Sequence, residues 1–290
     1  GRETATMLSQ INLALWAWLE SFRDFRRGRV WVPFVLLGFV QLAVVLLLTQ
    51  FYRPVVSAFL VPLVRLLVGP TALHYPQFYM ALPSAFGRLN PFLDWLVGSF
   101  ILGAAALVLW HTALGLGQRG TWSVAARRYL SLLGVRLPLL ALLLGVAWVL
   151  PTLILPDAGE LRGNSLRMFR YGTFVFGVLL EMLFVYAPVV LLLEPASVGP
   201  ALLRGFRMVG KVPLATALVV GGPNLFQLPI SWALRRSDTV VQSLNPELVI
   251  AMLAGAVVLY VGINYFILAS VVRIYGARGT SREEPMPWKA

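Results

Sequence analysis

Cysteine is absent from the chain, histidine occurs twice, and only 12% of its 290 residues are charged. A soluble globular domain carries about 25% charged residues. Without cysteine there is no disulfide and no thiolate metal site. His74 falls in a loop and His111 near the end of an apolar run, so there is no matched intramembrane pair to ligate a haem or chlorophyll metal. A phosphate-binding loop, zinc-pair spacing and a nucleophile elbow are also missing. These absences lead to the expectation of a non-enzyme with no cofactor.

What is present is apolar. Hydrophobic residues make up 59% of the chain and the mean hydropathy is +0.79. Six runs, Trp31–Phe51, Phe92–Ala113, Leu137–Leu155, Tyr171–Leu193, Pro213–Ala233 and Leu248–Val271, each approach the ~20 residues that a helix needs to cross a bilayer. Backbone polar groups in hydrocarbon must be paired within their own segment, so the runs are expected to be helices. The alternating pattern of a membrane barrel is missing. The expected fold is an all-α integral membrane protein, a single polytopic domain over 1–290. Trp31–Phe51 is too long for the core of a cleavable signal peptide. The chain opens on Gly1, which leaves its true N-terminus open.

The net charge of +12 does not point to nucleic acid, because the basic residues sit at helix ends instead of forming one patch. Lys and Arg collect on the cytoplasmic side of membrane proteins. With both termini cytoplasmic, 16 of the 24 basic residues fall inside, including Arg23, Arg26, Arg27, Arg29 and Arg136. The apolar stretch Val55–Gly69 reaches only about 22 Å as a helix, short of a crossing. It also holds Pro62 and Arg65, and is expected to be interfacial or re-entrant on the outer side. Trp31, Trp110, Tyr52, Trp95, Trp148, Tyr171 and Trp232 fall at span ends, where aromatic belts form.

A threefold pattern precedes spans one, three and five. Each unit has basic residues, an aromatic (Phe25, Tyr129, Phe206), a last cation (Arg29, Arg136, Lys211) and a proline (Pro33, Pro138, Pro213). This reads as an amphipathic interfacial helix followed by a span that opens on proline in its first turn. Interfacial helices are expected at about 9–26, 55–69, 121–134 and 197–209. In the first, Ile11, Leu15, Trp18, Leu19 and Phe22 form one apolar face. The layout, together with Glu194-Pro-Ala-Ser-Val-Gly-Pro-Ala-Leu-Leu-Arg-Gly-Phe-Arg before span five, resembles the membrane domain of bacterial glycerophosphodiester phosphodiesterases and related six-helix inner-membrane proteins. The phosphodiesterase catalytic domain has no counterpart here. The resemblance therefore implies a module of the bacterial inner membrane, without that enzyme's chemistry.

Glu181 lies near the middle of span four, where an ionisable group normally faces the bundle interior. Gln41 and Asn224 fall at similar depth, with Gln227 and Asn264 to either side. These five form the candidate polar site. They are either a path for a proton, ion or polar headgroup, or hydrogen bonds that hold helices together. Gly221-Gly-Pro-Asn224 is expected to break span five, and Ser99/Gly103 and Ala251/Gly255 are small-residue pairs that permit close helix approach. The outer loop holds the aromatics Tyr75, Phe78 and Tyr79, a candidate docking surface for a partner. The expected partners are membrane lipids and other membrane proteins. The composition favours a non-catalytic scaffold or accessory subunit of a membrane complex. The alternative is a small transporter for a lipid-like or polar solute, using Glu181 and the break in span five.

Overall fold

The computed structural model describes residues 2–50, 53–149, 164–243 and 245–278. Among them there are helices and no strands. Six helical stretches are long and apolar enough to cross a membrane. The protein is an all-α, multi-pass membrane protein.

Helix α1 (Arg2–Phe25) leads into α2 (Gly28–Thr49), the first span. The short α3 (Pro54–Val68) packs on α4, which runs without interruption through Gln77–Ala113. After α5 (Thr121–Arg127) comes α6 (Tyr129–Leu144), continued by a π turn at Gly145–Val149. Next are α7 (Asn164–Phe184) and α8 (Ala187–Leu193), which together form the fourth span Tyr171–Leu193. Helix α9 (Val198–Lys211) precedes α10 (Pro213–Gln242), and α11 (Leu248–Arg278) completes the bundle. The end of the expected third span, residues 150–155, lies outside the described residues.

Several boundaries differ from expectation. The second span begins at Gln77 instead of Phe92, because Phe78, Leu82, Ala85 and Phe86 are buried at helical spacing and extend the helix outward. Leu60, Val64 and Leu67 of α3 are buried, and the Arg88 guanidinium donates to the Leu67 carbonyl. The opposite face of α3 leaves Val55, Phe59 and Leu66 more than three-quarters exposed.

The expected interfacial helix at 121–134 stops at Arg127, and the third span starts at Tyr129. The Arg128 side chain fixes the break by donating to the Leu191 and Glu194 carbonyls at the end of α8. Finally, only Pro213 opens its helix; Pro33 and Pro138 lie inside theirs. A helix starting at either proline would leave open N–H groups within apolar sequence. Starting earlier moves those groups to the polar residues Arg27 and Arg128.

Helix α1 is a clamp as well as an amphipathic helix. Its small-residue stripe, Ala14, Ala17 and Ser21, is fully buried, while Leu8, Leu15, Leu19 and Phe22 stay exposed. The Tyr265 hydroxyl donates to the Ser21 carbonyl at 2.6 Å, and Arg273 pairs with both Asp24 and Glu20. Gln10 Oε1 accepts from the backbone N–H groups of Leu214 (2.8 Å) and Ala215 (3.4 Å), capping α10. One helix thereby holds the last two spans together. At the same end Glu194 accepts from Arg204 and Tyr275.

Candidate functional site

The polar residues of the spans gather around α11 in two cavities and a short chain between them. The chain begins at Asn224, which is 3% exposed on α10. Its Nδ2 donates to Glu181 Oε2 at 2.8 Å and to the Val220 carbonyl at 3.0 Å. Its Oδ1 accepts from Gln227 Nε2 at 2.5 Å. Asn224 thus links Glu181 on α7 to Gln227 one turn further along α10.

Glu181 lines the first cavity, about 100 Å³, with Ser99, Arg136 and Asn264 as its other polar residues. The wall between α4 and α6 carries an ion pair. Arg136 Nη2 donates to Asp94 Oδ2 at 2.8 Å, and Arg136 Nη1 to the Asp94 carbonyl at 3.0 Å and to Ser99 Oγ at 3.4 Å. Both side chains are more than four-fifths shielded. Gln227 lines the second cavity, about 220 Å³, with Gln41, Asn90, Ser231 and Tyr260. Gln41 Nε2 donates to Asn90 Oδ1 at 3.0 Å. Asn264 Nδ2, in the first cavity, donates at 2.9 Å to the carbonyl of Tyr260, in the second, one helical turn away on α11.

The helices depart from regular α geometry at these residues. A π turn at Asp94–Gly98 widens α4 beside the ion pair, and another at Ala217–Gly221 precedes Asn224. Such turns are frequent at functional sites. In α4 the turn leaves carbonyls that α6 satisfies, Asp94 through Arg136 and Leu96 through the Tyr129 hydroxyl at 3.0 Å. Gly221-Gly-Pro-Asn224 is therefore a widened helix and not the unwound break expected from glycine and proline. The glycine has a packing reason: a Cβ on Gly222 would lie 3.0 Å from the Trp18 ring of α1.

Of the five expected site residues, the structure brings Glu181, Asn224 and Gln227 into one chain. It places Gln41 across the second cavity and Asn264 in the first. Sequence reasoning missed Asp94, Arg136, Asn90, Ser99 and Tyr260 as site residues. Arg136 was expected before the third span, and the start of α6 at Tyr129 carries it inside the helix; Asp94 lay within the expected second span. A lone Asp and a lone Arg of opposite sign, each beside an apolar run, were the available signal.

The three aromatics expected to form a docking surface do not share one exposed patch. Phe78 is 1% exposed and belongs to the core, Tyr79 packs against it, and Tyr75 is 69% exposed. Phe78 is corrected from a docking residue to a packing one, since the helix that begins at Gln77 turns it inward. Trp110 is also buried, with its ring filling the space above Gly276. His111 Nδ1 lies 2.8 Å from the Gly117 carbonyl and ties the α4–α5 loop. A Cβ on Gly103 would lie 2.7 Å from Leu132, whereas one on Gly255 would meet nothing within 4 Å, so of the two glycines only Gly103 sits at a close helix approach.

Fold and site together define a six-span membrane protein with a polar, cavity-bearing core. Scans against protein-family models, curated proteins and solved structures find no match to this chain.

Proposed function

We propose that the protein is a small permease, which carries a polar solute through the centre of its bundle. The observation behind this reading is the succession of cavities along α11. The second is lined by Leu253 to Tyr260 and the first by Asn264 to Leu268. At 1.5 Å per residue that stretch covers about 22 Å of a hydrocarbon layer roughly 30 Å thick. The chain Gln227–Asn224–Glu181 joins the two where the solute would pass. Buried polar groups are costly in a membrane and mark solute pathways when they face the bundle interior.

The setting in this reading is a bacterial cytoplasmic membrane, with both termini in the cytoplasm. It rests on the bias of the basic residues and on the resemblance to the phosphodiesterase membrane domain. The scaffold reading keeps one structural support, the exposed apolar faces of α1 and α3, which would meet lipid or a neighbouring protein.

The test is solute entry into proteoliposomes, using small solutes of different charge. At least one should enter faster than into protein-free vesicles, and Asn224→Leu, which severs the chain, should abolish the difference. Entry of none, with stoichiometric partner proteins retained in mild detergent, would replace the permease by the scaffold.

A further inference from the structure

The two cavities differ in charge. The first contains Glu181 and Arg136. The second, although larger, is lined by no Asp, Glu, Lys, Arg or His; its polar side chains are Gln41, Asn90, Gln227, Ser231 and Tyr260. These are three carboxamides and two hydroxyls, each able to donate and to accept a hydrogen bond.

Gln41 is 1% exposed, and its Oε1 has no hydrogen-bond partner although it is buried. Its Nε2 is already committed to Asn90 Oδ1. Gln41 Oε1 is thus an unmatched acceptor beneath the cavity wall, and the pair leaves Asn90 Nδ2 as a donor. A buried acceptor left unpaired is unfavourable, and such groups in native proteins are normally matched. A charged solute would find no counter-charge on these walls and would lose its hydration uncompensated. A hydroxyl group both donates and accepts, which fits a lining of carboxamides and hydroxyls. The volume of about 220 Å³ far exceeds the ~10–15 Å³ that one water molecule needs by the same kind of measure. Leu253 and Val257 supply apolar wall for a solute's C–H face.

We propose that the cavity between Gln41, Asn90 and Gln227 binds a neutral, hydroxyl-bearing solute, a small polyol of about glycerol size. This inference rests on the permease reading and names its substrate class. The cavity selects by hydrogen bonding and excludes ions by the neutrality of its walls.

The test uses the full chain in proteoliposomes and follows vesicle swelling by stopped-flow light scattering. Glycerol serves as the neutral polyol, glycine as the zwitterion and a sucrose gradient as the water-only control. Glycerol should enter at least fivefold faster than into protein-free vesicles, and glycine should not. Gln41→Met, close in shape but without the carboxamide, should return glycerol entry to the protein-free rate. Ser231→Ala, a milder change, should slow it two- to threefold and guards against misfolding of the first variant. Entry of glycine without glycerol would overturn the substrate class and leave the permease reading standing. Equal glycerol entry in the wild type and both variants would show that this cavity is not the site, and acceleration of water alone would make it a water pocket. Entry of no solute at all would remove the permease reading with it.

Discussion

Asn224 is the residue on which the polar core turns, since it donates to Glu181 and accepts from Gln227. Asn224→Leu leaves both partners unmatched and should destabilise the protein by about 1–2 kcal/mol, the range for hydrogen bonds between membrane helices. Glu181→Gln keeps an acceptor for Asn224 and should cost less; unfolding in mild detergent compares the two. The Asp94–Arg136 pair offers a stronger contrast. Removing one partner strands a shielded charge and should cost about 3–5 kcal/mol, whereas Asp94→Leu combined with Arg136→Leu should recover much of that loss. Equal costs for the single and double variants would show that the charges do not act as a pair.

At the scale of helices, close packing depends on a few positions. A side chain on Gly103 would meet Leu132 at 2.7 Å, so Gly103→Val should overpack the α4–α6 contact and cost about 1–3 kcal/mol. Gly255 faces open space, and Gly255→Val should change stability by no more than about 0.5 kcal/mol. Gln10→Ala should cost about 0.5–2 kcal/mol, as loss of a helix cap does, because it exposes the Leu214 and Ala215 N–H groups. Thermal unfolding of the three variants side by side checks all of these. The six spans were legible in the sequence, because a run of apolar residues long enough to cross a membrane can satisfy its backbone only as a helix. Their starting points were less so. Pro33 and Pro138 look like helix openings, but the helices start at the arginines before them, and what Arg128 meets, the Leu191 and Glu194 carbonyls, is far away in sequence. For the same reason Glu181 and Asn224 could be picked out as buried polar residues, while the partners of Gln41 and of Arg136 could not. Asn90 meets Gln41 only because α4 extends outward to Gln77, and Asp94 meets Arg136 only because α6 begins at Tyr129.

For the molecule as a whole, orientation and the wetness of the core are the open properties that follow from the account. With no cysteine in the chain, single cysteines report both without background. Gly117→Cys, in the loop after α4, should be shielded in intact cells from a membrane-impermeant maleimide, and Asn245→Cys, in the loop before α11, should react. The reverse pattern would invert the orientation. The central claim is that the cavities beside α11 hold water and admit solute, and the most direct measurement is thiol reactivity inside the bundle. Ser231→Cys lies in the second cavity, Asn264→Cys in the first, and Val258→Cys, 66% exposed on the outside of α11, faces lipid as a control. The account predicts that a small neutral, hydroxyl-bearing thiosulfonate modifies the two cavity cysteines of the reconstituted protein, where water lets the thiol ionise, and spares Val258→Cys. Cavity cysteines as inert as the lipid-facing control would mean a dry, closed core, and would contradict it.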